Sequence, residues 1–447
     1  MSLGNIFFVS LGCDKNLVDT EVMLGHIRDA GYELVNDESE ADVAIVNTCS
    51  FIHDAKEESV QTILEMSTYK DNRLKGLIAV GCLTQRYQEE LVREIPELDG
   101  VLGTSNYDEI VAAIEAVMNK EQYISFKDIN YACEPYIKRV GDQTAHYAYL
   151  KVADGCNNNC TYCIIPSLRG RVRSRAIESL VEETRYLVAQ GKTEIILVAQ
   201  DVTKYGIDLY NEKALPKLLK ALVAIDGLEW VRLLYCYPED ITDELIEVMA
   251  AEPKIMHYID IPIQHISNPI LNKMARRSND ATIKGVIDKL RAAMPDIAIR
   301  SSLIVGFPGE NEEDYQALAD FVAAYKLDRV GVFTYSLEEG TKAALMDGQI
   351  DQAVMDQRRD GIMAIQQKVS FEKNQAMVGQ VVTCIVEGYI PEDDVYIGRT
   401  YKDAPGVDGV IFIHTDYKPL AGQVVPVMVT DFSEYDLIGD IYDEPSE

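Results

Sequence analysis

Short apolar runs alternate with amphipathic stretches along most of the chain. In the first 120 residues the apolar runs 6–10, 43–47 and 77–81 read as buried strands. Between them, residues 16–30, 55–69 and about 85–94 carry helical periodicity, and the first of these stops at Gly31. A helix over 108–119 follows. Repeated βα units whose strands are apolar throughout predict a parallel sheet covered on both faces. Residues 119–145 are polar and without a period, so they are expected to form a linker. The alternation then resumes, with strands expected at 147–152, 194–200, 230–235, 258–264, 299–307 and 329–335 and helices between them, such as 177–190 and 312–325. Six such units predict an open, partial (β/α)6 barrel, because a closed eight-unit barrel needs more chain. A long helix over 352–375 ends this part. Beyond it, strands at 381–387, 395–400, 410–414 and 424–431 are separated by Gly, Pro and Asp with no helix between them, the pattern of a small antiparallel barrel or sandwich.

Composition changes this picture little. The chain has 447 residues, 47% apolar and 26% charged, which is ordinary for a globular protein of two or three domains. No apolar run is long enough to span a bilayer, and the first residues lack the basic and apolar regions of a signal peptide. A cytoplasmic protein with no membrane partner is expected. Charge is more informative. With 42 basic and 73 acidic residues the net charge is −31, and no basic footprint for phosphate is visible at the level of the whole chain. Such a charge serves solubility, or steers a basic macromolecular partner.

Nine cysteines in a cytoplasmic chain call for metal bookkeeping rather than disulfides. Cys156, Cys160 and Cys163 lie within one short loop, Gly155-Cys-Asn-Asn-Asn-Cys-Thr-Tyr-Cys163, directly after the first strand of the six-unit segment. Ligand sites of βα barrels sit at that end of the strands. A structural zinc site takes four closed ligands, whereas three thiolates on a four-iron cluster leave one iron open to a small molecule. A zinc knuckle or buried free thiols are the bland alternatives.

This loop resembles that of the radical S-adenosylmethionine superfamily, and Ile164-Ile165-Pro166, the basic run 169–175 and Val305-Gly-Phe-Pro-Gly-Glu310 agree with it. The resemblance implies that S-adenosylmethionine chelates the open iron and is cleaved by one electron to a 5′-deoxyadenosyl radical, which takes a hydrogen from an unactivated C–H bond. It also implies an electron donor such as flavodoxin or ferredoxin, and a nucleoside site lined by Gln200, Asp201, Gly306 and Glu310. The alternative for Gly306 and Glu310 is turn chemistry and helix capping. The arginines of 169–175 either support an anionic cluster or form a solvated loop.

Three more cysteines, Cys13, Cys49 and Cys82, stand 36 and 33 residues apart, yet each follows an expected strand within a few residues. Parallel strands end on one edge of their sheet, so the three thiolates are expected to converge on a second cluster with an open iron. Cys133, Cys236 and Cys384 have no such setting and read as packing residues. His265 stands at an expected strand end, where it either touches substrate or is structural.

The combination resembles the radical S-adenosylmethionine methylthiotransferase family over nearly the whole chain. The resemblance implies an auxiliary-cluster domain at 1–120, a radical core at 140–372, a TRAM barrel at 374–442, and two 4Fe–4S clusters with S-adenosylmethionine. No catalytic residue beyond the cluster ligands is assigned. Branches of the family act on transfer RNA adenosine or on a ribosomal protein. Ser10-Leu-Gly-Cys-Asp-Lys-Asn-Leu-Val-Asp19 and Glu434-Tyr-Asp-Leu-Ile-Gly439 resemble the ribosomal-protein branch, the RimO type, although Asp14 replaces a proline common there. Residues 375–447 hold three basic and 14 acidic residues, a balance of −11. RNA-gripping barrels combine stacking aromatics with a positive groove. Here Tyr389, Tyr396, Phe412 and Tyr417 are present without one, so direct RNA binding is not expected. The implied substrate is the β-carbon of an aspartate in the twelfth protein of the small ribosomal subunit. A transfer RNA methylthiotransferase and a non-catalytic iron–sulfur sensor are the alternatives.

Overall fold

The computed structural model describes residues 3–131 and 138–442 of the chain; Cys133 lies outside the described residues. The first sheet has six parallel strands, β1 (Asn5–Ser10), β2 (Glu33–Val35), β3 (Val43–Thr48), β4 (Gly76–Gly81), β5 (Gly100–Leu102) and β6 (Tyr123–Ser125), in the order β2-β1-β3-β4-β5-β6. Helices α1 (Asp14–Asp29), α2 (His53–Ser67), α3 (Cys82–Tyr87), α4 (Glu89–Glu94) and α5 (Ile110–Met118) cover it. Successive strand residues point to opposite faces, which divides the apolar residues between two cores. Ile45, Ile78 and Val80 pack with Met23, Ile27 and Ile114, while Val46, Leu77 and Ala79 pack with Ile63, Leu83 and Leu91.

Three strands depart from expectation. β2 and β5 have three residues each, too few to show a period, and β6 lies inside the stretch read as a linker. As an edge strand with half-exposed Ile124, β6 needs no apolar run. The single helix expected over 85–94 is two, broken at Gln88, whose φ is 43°.

The second sheet is also wholly parallel and open. It follows the order β14-β13-β12-β11-β10-β7, with β7 (Tyr147–Lys151), β10 (Glu194–Val198), β11 (Trp230–Leu233), β12 (Ile255–Asp260), β13 (Ala298–Val305) and β14 (Arg329–Thr334). A two-stranded ribbon, β8 (Ala153–Asp154) and β9 (Arg173–Ser174), frames the cysteine loop. Strand β12 ends earlier than the expected 258–264, because Pro262 has no N–H for the ladder. Helices α6 (Ile165–Arg169), α7 (Ile177–Ala189), α8 (Leu215–Val223), α9 (Asp243–Ala251), α10 (Asn268–Lys273), α11 (Asp280–Ala293) and α12 (Glu312–Tyr325) complete the unit, and α13 (Gln352–Gln375) leads out of it. Its main core lies between the sheet and the helices, for example Leu197, Leu233 and Ile299 against Leu180, Leu218 and Ile287.

The opposite face of that sheet carries Ile196, Val198, Trp230 and Tyr258, which pack against Ile385 and Ala404 of the last unit. That unit is a closed barrel of β15 (Val381–Ile390), β16 (Val395–Thr400), β17 (Ile411–His414), β18 (Val424–Phe432) and β19 (Leu437–Ile441). Four of its five pairings are antiparallel, and the barrel shuts through the parallel pair β17–β19. Its seat on the sheet is ionic as well as apolar. Fully buried Arg232 and Arg399 both grip Glu194, at 2.8 and 2.7 Å, and Arg329 reaches Asp403 at 2.6 Å. No helix among the described residues is long and apolar enough to cross a membrane.

Candidate functional site

The first sheet brings Cys13, Cys49 and Cys82 to one edge, each just past the end of a strand. Cys13 precedes α1, Cys49 follows β3, and Cys82 opens α3. Asn16 ties the three loops together. Its Nδ2 donates to the carbonyls of Leu11 and Thr48 at 3.1 and 3.0 Å, and its Oδ1 lies 3.9 Å from the Cys82 sulfur. Ser59 of α2 donates to the Cys49 carbonyl and accepts from its N–H, both at 3.0 Å. At Gly12, φ is +89° and an added Cβ would stand 2.8 Å from that of Cys49, so only glycine admits this approach. Burial pushes the Cys82 thiol up to about 12 against the pull of the Arg169 guanidinium, and the charges of Cys13 and Cys49 act on it as well.

The second trio sits beyond β7. The Cys156 N–H donates to Gly170 O at 3.0 Å and the Cys163 N–H to Cys160 O at 3.1 Å. The Asn158 N–H points to the Cys156 sulfur at 3.4 Å, and Arg276 Nη1 stands 4.0 Å from that of Cys160. Burial raises the Cys163 thiol to about 12, and the neighbouring charges of Cys160 and Cys156 add to the rise. A cavity of about 290 Å³ opens beside this loop, lined by Asn158, Cys160, Lys204, Tyr237 and Arg276 among others.

The segment that follows the second trio packs against the first. Ile164 and Leu168, which directly follow Cys163, pack against Cys82. Arg169 ends that segment and reaches into the first trio. Its Nη2 donates to Asn16 Oδ1 at 2.5 Å, and its Nη1 pairs with Asp19 at 2.9 Å and Asp154 at 3.2 Å. The guanidinium feels the charges of both Cys82 and Cys13. Arg173 and Arg175 are spent on structure, Arg173 on backbone carbonyls of its own loop and Arg175 on Glu183 at 2.6 Å.

The other expected site residues divide. Asp201 is buried beside Cys156, accepting from Asn158 Nδ2 at 2.9 Å and pairing with Lys204 at 3.2 Å. Gln200 donates to Asp154 Oδ1 at 3.2 Å. Gly306 and Glu310 stand apart from this group. Glu310 Oε2 accepts the N–H groups of Gly306 and Phe307 at 2.5 and 3.1 Å, and Oε1 pairs with Arg358 of α13 at 3.2 Å. A Cβ at Gly306 would fall 2.1 Å from Met355 Cγ. Both residues lock their turn to α13. Phe307 in turn meets Tyr162, inside the cysteine loop, edge to face at 6.5 Å. His265 is fully buried, its Nδ1 accepting the Ser267 N–H at 2.9 Å, and burial lowers its pKa to about 4.

Similar proteins match the chain over nearly its whole length. A "Ribosomal protein uS12 methylthiotransferase RimO" of Lachnoclostridium phytofermentans is 55% identical over 97% of this chain and 99% of its own. The chain belongs to the RimO methylthiotransferase family. A RimO of Geobacter sulfurreducens is 49% identical over 98% of both chains, and one of Clostridium tetani 47% over 98% of both. Residues 5–103 match the Uncharacterized protein family UPF0004, 150–322 the Radical SAM superfamily and 378–441 the TRAM domain. Among solved structures, the radical S-adenosylmethionine methyltransferase TsrM of Kitasatospora setae, with cobalamin and a 4Fe–4S cluster bound, aligns over 75% of both chains with a TM-score of 0.56 at 15% identity. The cobalamin-dependent enzyme OxsB aligns over 81% of this chain and 56% of its own with a TM-score of 0.52 at 12% identity. These two likenesses concern the fold.

Membership in the Radical SAM superfamily brings a 4Fe–4S cluster and S-adenosylmethionine to a RimO protein. The donor set fits. The eight cysteines among the described residues are all free thiols. No three His, Cys, Asp or Glu side chains among those residues close tightly enough to share a single metal ion. In a cubane each iron takes one cysteine, so three thiols on one loop, or on three neighbouring strand ends, are the donor set such a cluster uses. Sequence reasoning missed Lys15, Asn16 and Ser59. A signal was present in α1, where the buried face carries Lys15, Asn16, Asp19 and Thr20 instead of apolar residues.

Proposed function

We propose that this enzyme replaces a β-carbon hydrogen of an aspartate in ribosomal protein uS12 with a methylthio group. In this reading Cys156, Cys160 and Cys163 hold the cluster that binds S-adenosylmethionine, and Cys13, Cys49 and Cys82 hold a second, auxiliary cluster. When bound, the first cluster with its cofactor supplies the radical that takes the hydrogen, and the second supplies a site for the sulfur. The observation that carries the reading is the packing of Ile164 and Leu168, which follow Cys163, against Cys82, with Arg169 bound to Asp19 of the first domain and Asp154 of the second.

The chain's own residues supply the surroundings. Asn16 and Ser59 fix the loops of the auxiliary trio. Asp201, Lys204 and Asn158 form a buried polar group beside Cys156 where a cofactor's polar groups find donors and acceptors. Gln200 binds Asp154, the partner of Arg169, while Gly306 and Glu310 lock the turn after β13 to Arg358 and Met355 of α13. The acidic TRAM barrel favours a basic protein over RNA, since its charge repels phosphate. A flavodoxin or ferredoxin is the proposed electron donor, and the cytoplasm, where thiols stay reduced, the proposed compartment. The units are assigned to residues 1–120, 140–372 and 374–442, with β6 lying past the first boundary and α13 crossing the last junction.

Reconstituted enzyme given uS12 and transfer RNA side by side tests the reading. Mass spectrometry is expected to find the methylthio group on uS12 alone. Modification of RNA alone would support a transfer RNA enzyme, and absence of 5′-deoxyadenosine from both reactions would support a sensor.

A further inference from the structure

An aspartate substrate carries a negative charge next to the carbon that reacts. Enclosing that carboxylate away from water is unfavourable unless a cation or hydrogen-bond donors meet it. A positive group near the auxiliary trio with donors to spare would meet that need.

Two cations act electrostatically on Cys13, Lys15 and Arg169. Arg169 is committed, since Asn16, Asp19 and Asp154 all bind its guanidinium. Lys15 is not. It is 7% exposed, and its ammonium meets a single carboxylate oxygen, Asp14 Oδ1, at 2.8 Å. Below it lies the Tyr235 ring, with the ammonium 3.4 Å from the ring centroid. An ammonium carries three donors, so this one has capacity left for an incoming acceptor.

The support beneath Lys15 is built rather than incidental. Tyr235 stands just beyond β11, at the strand end where barrel enzymes place their sites. Its φ is +58°, a conformation unfavourable for a non-glycine residue that persists where surrounding contacts enforce it. The enforcing contacts are visible. The Tyr235 N–H donates to Asp260 Oδ2 at 3.0 Å, and the phenol donates to Asp14 Oδ1 at 3.1 Å. Asp14 Oδ2 is buried with no hydrogen-bond partner among the described residues. The strained tyrosine thus presents a ring to the ammonium and draws one oxygen of Asp14 toward itself. Asp14, Lys15 and Tyr235 form an ionic clamp with one unfilled acceptor and spare donors, between the barrel mouth and Cys13.

We propose that Lys15, held over the Tyr235 ring beside Cys13, receives the side-chain carboxylate of the substrate's aspartate and so makes the enzyme selective for an acidic residue. The proposal rests on the functional reading above and adds a specificity-determining residue to it. Asp14 acts as a placeholder that neutralises Lys15 until substrate arrives.

The test pairs enzyme variants with substrate variants. Wild type, Lys15→Gln, Lys15→Arg and Asp14→Asn are reconstituted to matched iron content. Each is given uS12 carrying the target aspartate or asparagine in its place. Lys15→Gln is expected to raise KM for the aspartate substrate at least about tenfold, with S-adenosylmethionine still cleaved, and to narrow the preference for aspartate over asparagine by a similar factor. Lys15→Arg, which keeps the charge, is expected to keep the preference. Asp14→Asn removes the competing carboxylate and is expected to tighten binding of the aspartate substrate, measured as Kd without turnover. This opposite-signed effect keeps the test decisive even where Lys15→Gln takes up iron poorly. An unchanged aspartate preference in Lys15→Gln, or weaker substrate binding in Asp14→Asn, overturns the role of Lys15 while wild-type turnover on uS12 leaves the functional reading standing. A wild type inert toward uS12 overturns that reading first.

Discussion

The residues that shape the site owe their roles to partners far away in sequence. Asn16 binds Arg169, 153 positions distant, and no local pattern announces such a bond. The six cysteines could be grouped from sequence because three share one short loop and because Cys13, Cys49 and Cys82 each stand just past a strand end. Asn16, Ser59 and Lys15 were legible only as polar groups on faces that a docking helix would leave apolar. His265 resolves in favour of structure. Held neutral by burial, its pKa falls from 6.5 to about 4. The unfolded chain therefore binds one more proton than the folded one between those values, and stability falls as pH drops from 6.5 toward 4. At about 1.4 kcal/mol per unit the loss reaches about 3 kcal/mol at the acid end. Urea titrations from pH 7 to 4 are expected to show this loss in wild type and to show less of it in His265→Gln; parallel curves would contradict the assignment.

Among the elements, the segment from Cys163 to Arg169 ties the two cysteine regions together. It begins as cluster loop, becomes α6, and ends in a guanidinium placed in the other domain's site. Its helix is five residues long, so periodicity could not reveal it. Strand β12 was misplaced for a related reason: apolar Ile261 and Ile263 continue the pattern past Pro262, where the ladder ends. Replacing Arg169 with Met leaves Asp19 and Asp154 sharing Lys151 as their buried cation. Removing one member of a buried ionic group typically costs about 3–5 kcal/mol, and the low end applies because Lys151 remains. Arg169→Met is expected to lower the denaturation midpoint accordingly and to loosen the auxiliary trio. An unchanged midpoint would show the guanidinium to be dispensable for docking.

Across the whole molecule, the first domain bridges the two free edges of the open barrel. Near β7, Lys151 and Arg169 bind Asp19. Past β14, buried Glu338 takes Lys56 at 2.8 Å and Arg86 at 2.9 Å. The TRAM barrel closes the sheet's inner face from another side through Glu194, Arg232 and Arg399. Three units and their order could be read from periodicity, as two βα runs parted by an aperiodic stretch and then strands without helices. How they dock could not, because the docking contacts are scattered ion pairs. Glu338→Gln leaves Arg86 buried with a weaker partner and is expected to lower methylthio product several-fold per 5′-deoxyadenosine formed, while cleavage of S-adenosylmethionine continues. An unchanged ratio would separate that clamp from turnover. The claim beneath all of this is that each cysteine trio carries its own cluster. Anaerobic iron and sulfide analysis of wild type beside the two triple alanine variants, one per trio, tests it most directly. Wild type is expected to hold about eight irons and each variant about four, whereas a wild type with only four, all lost when Cys156, Cys160 and Cys163 are replaced and none when Cys13, Cys49 and Cys82 are, would contradict it.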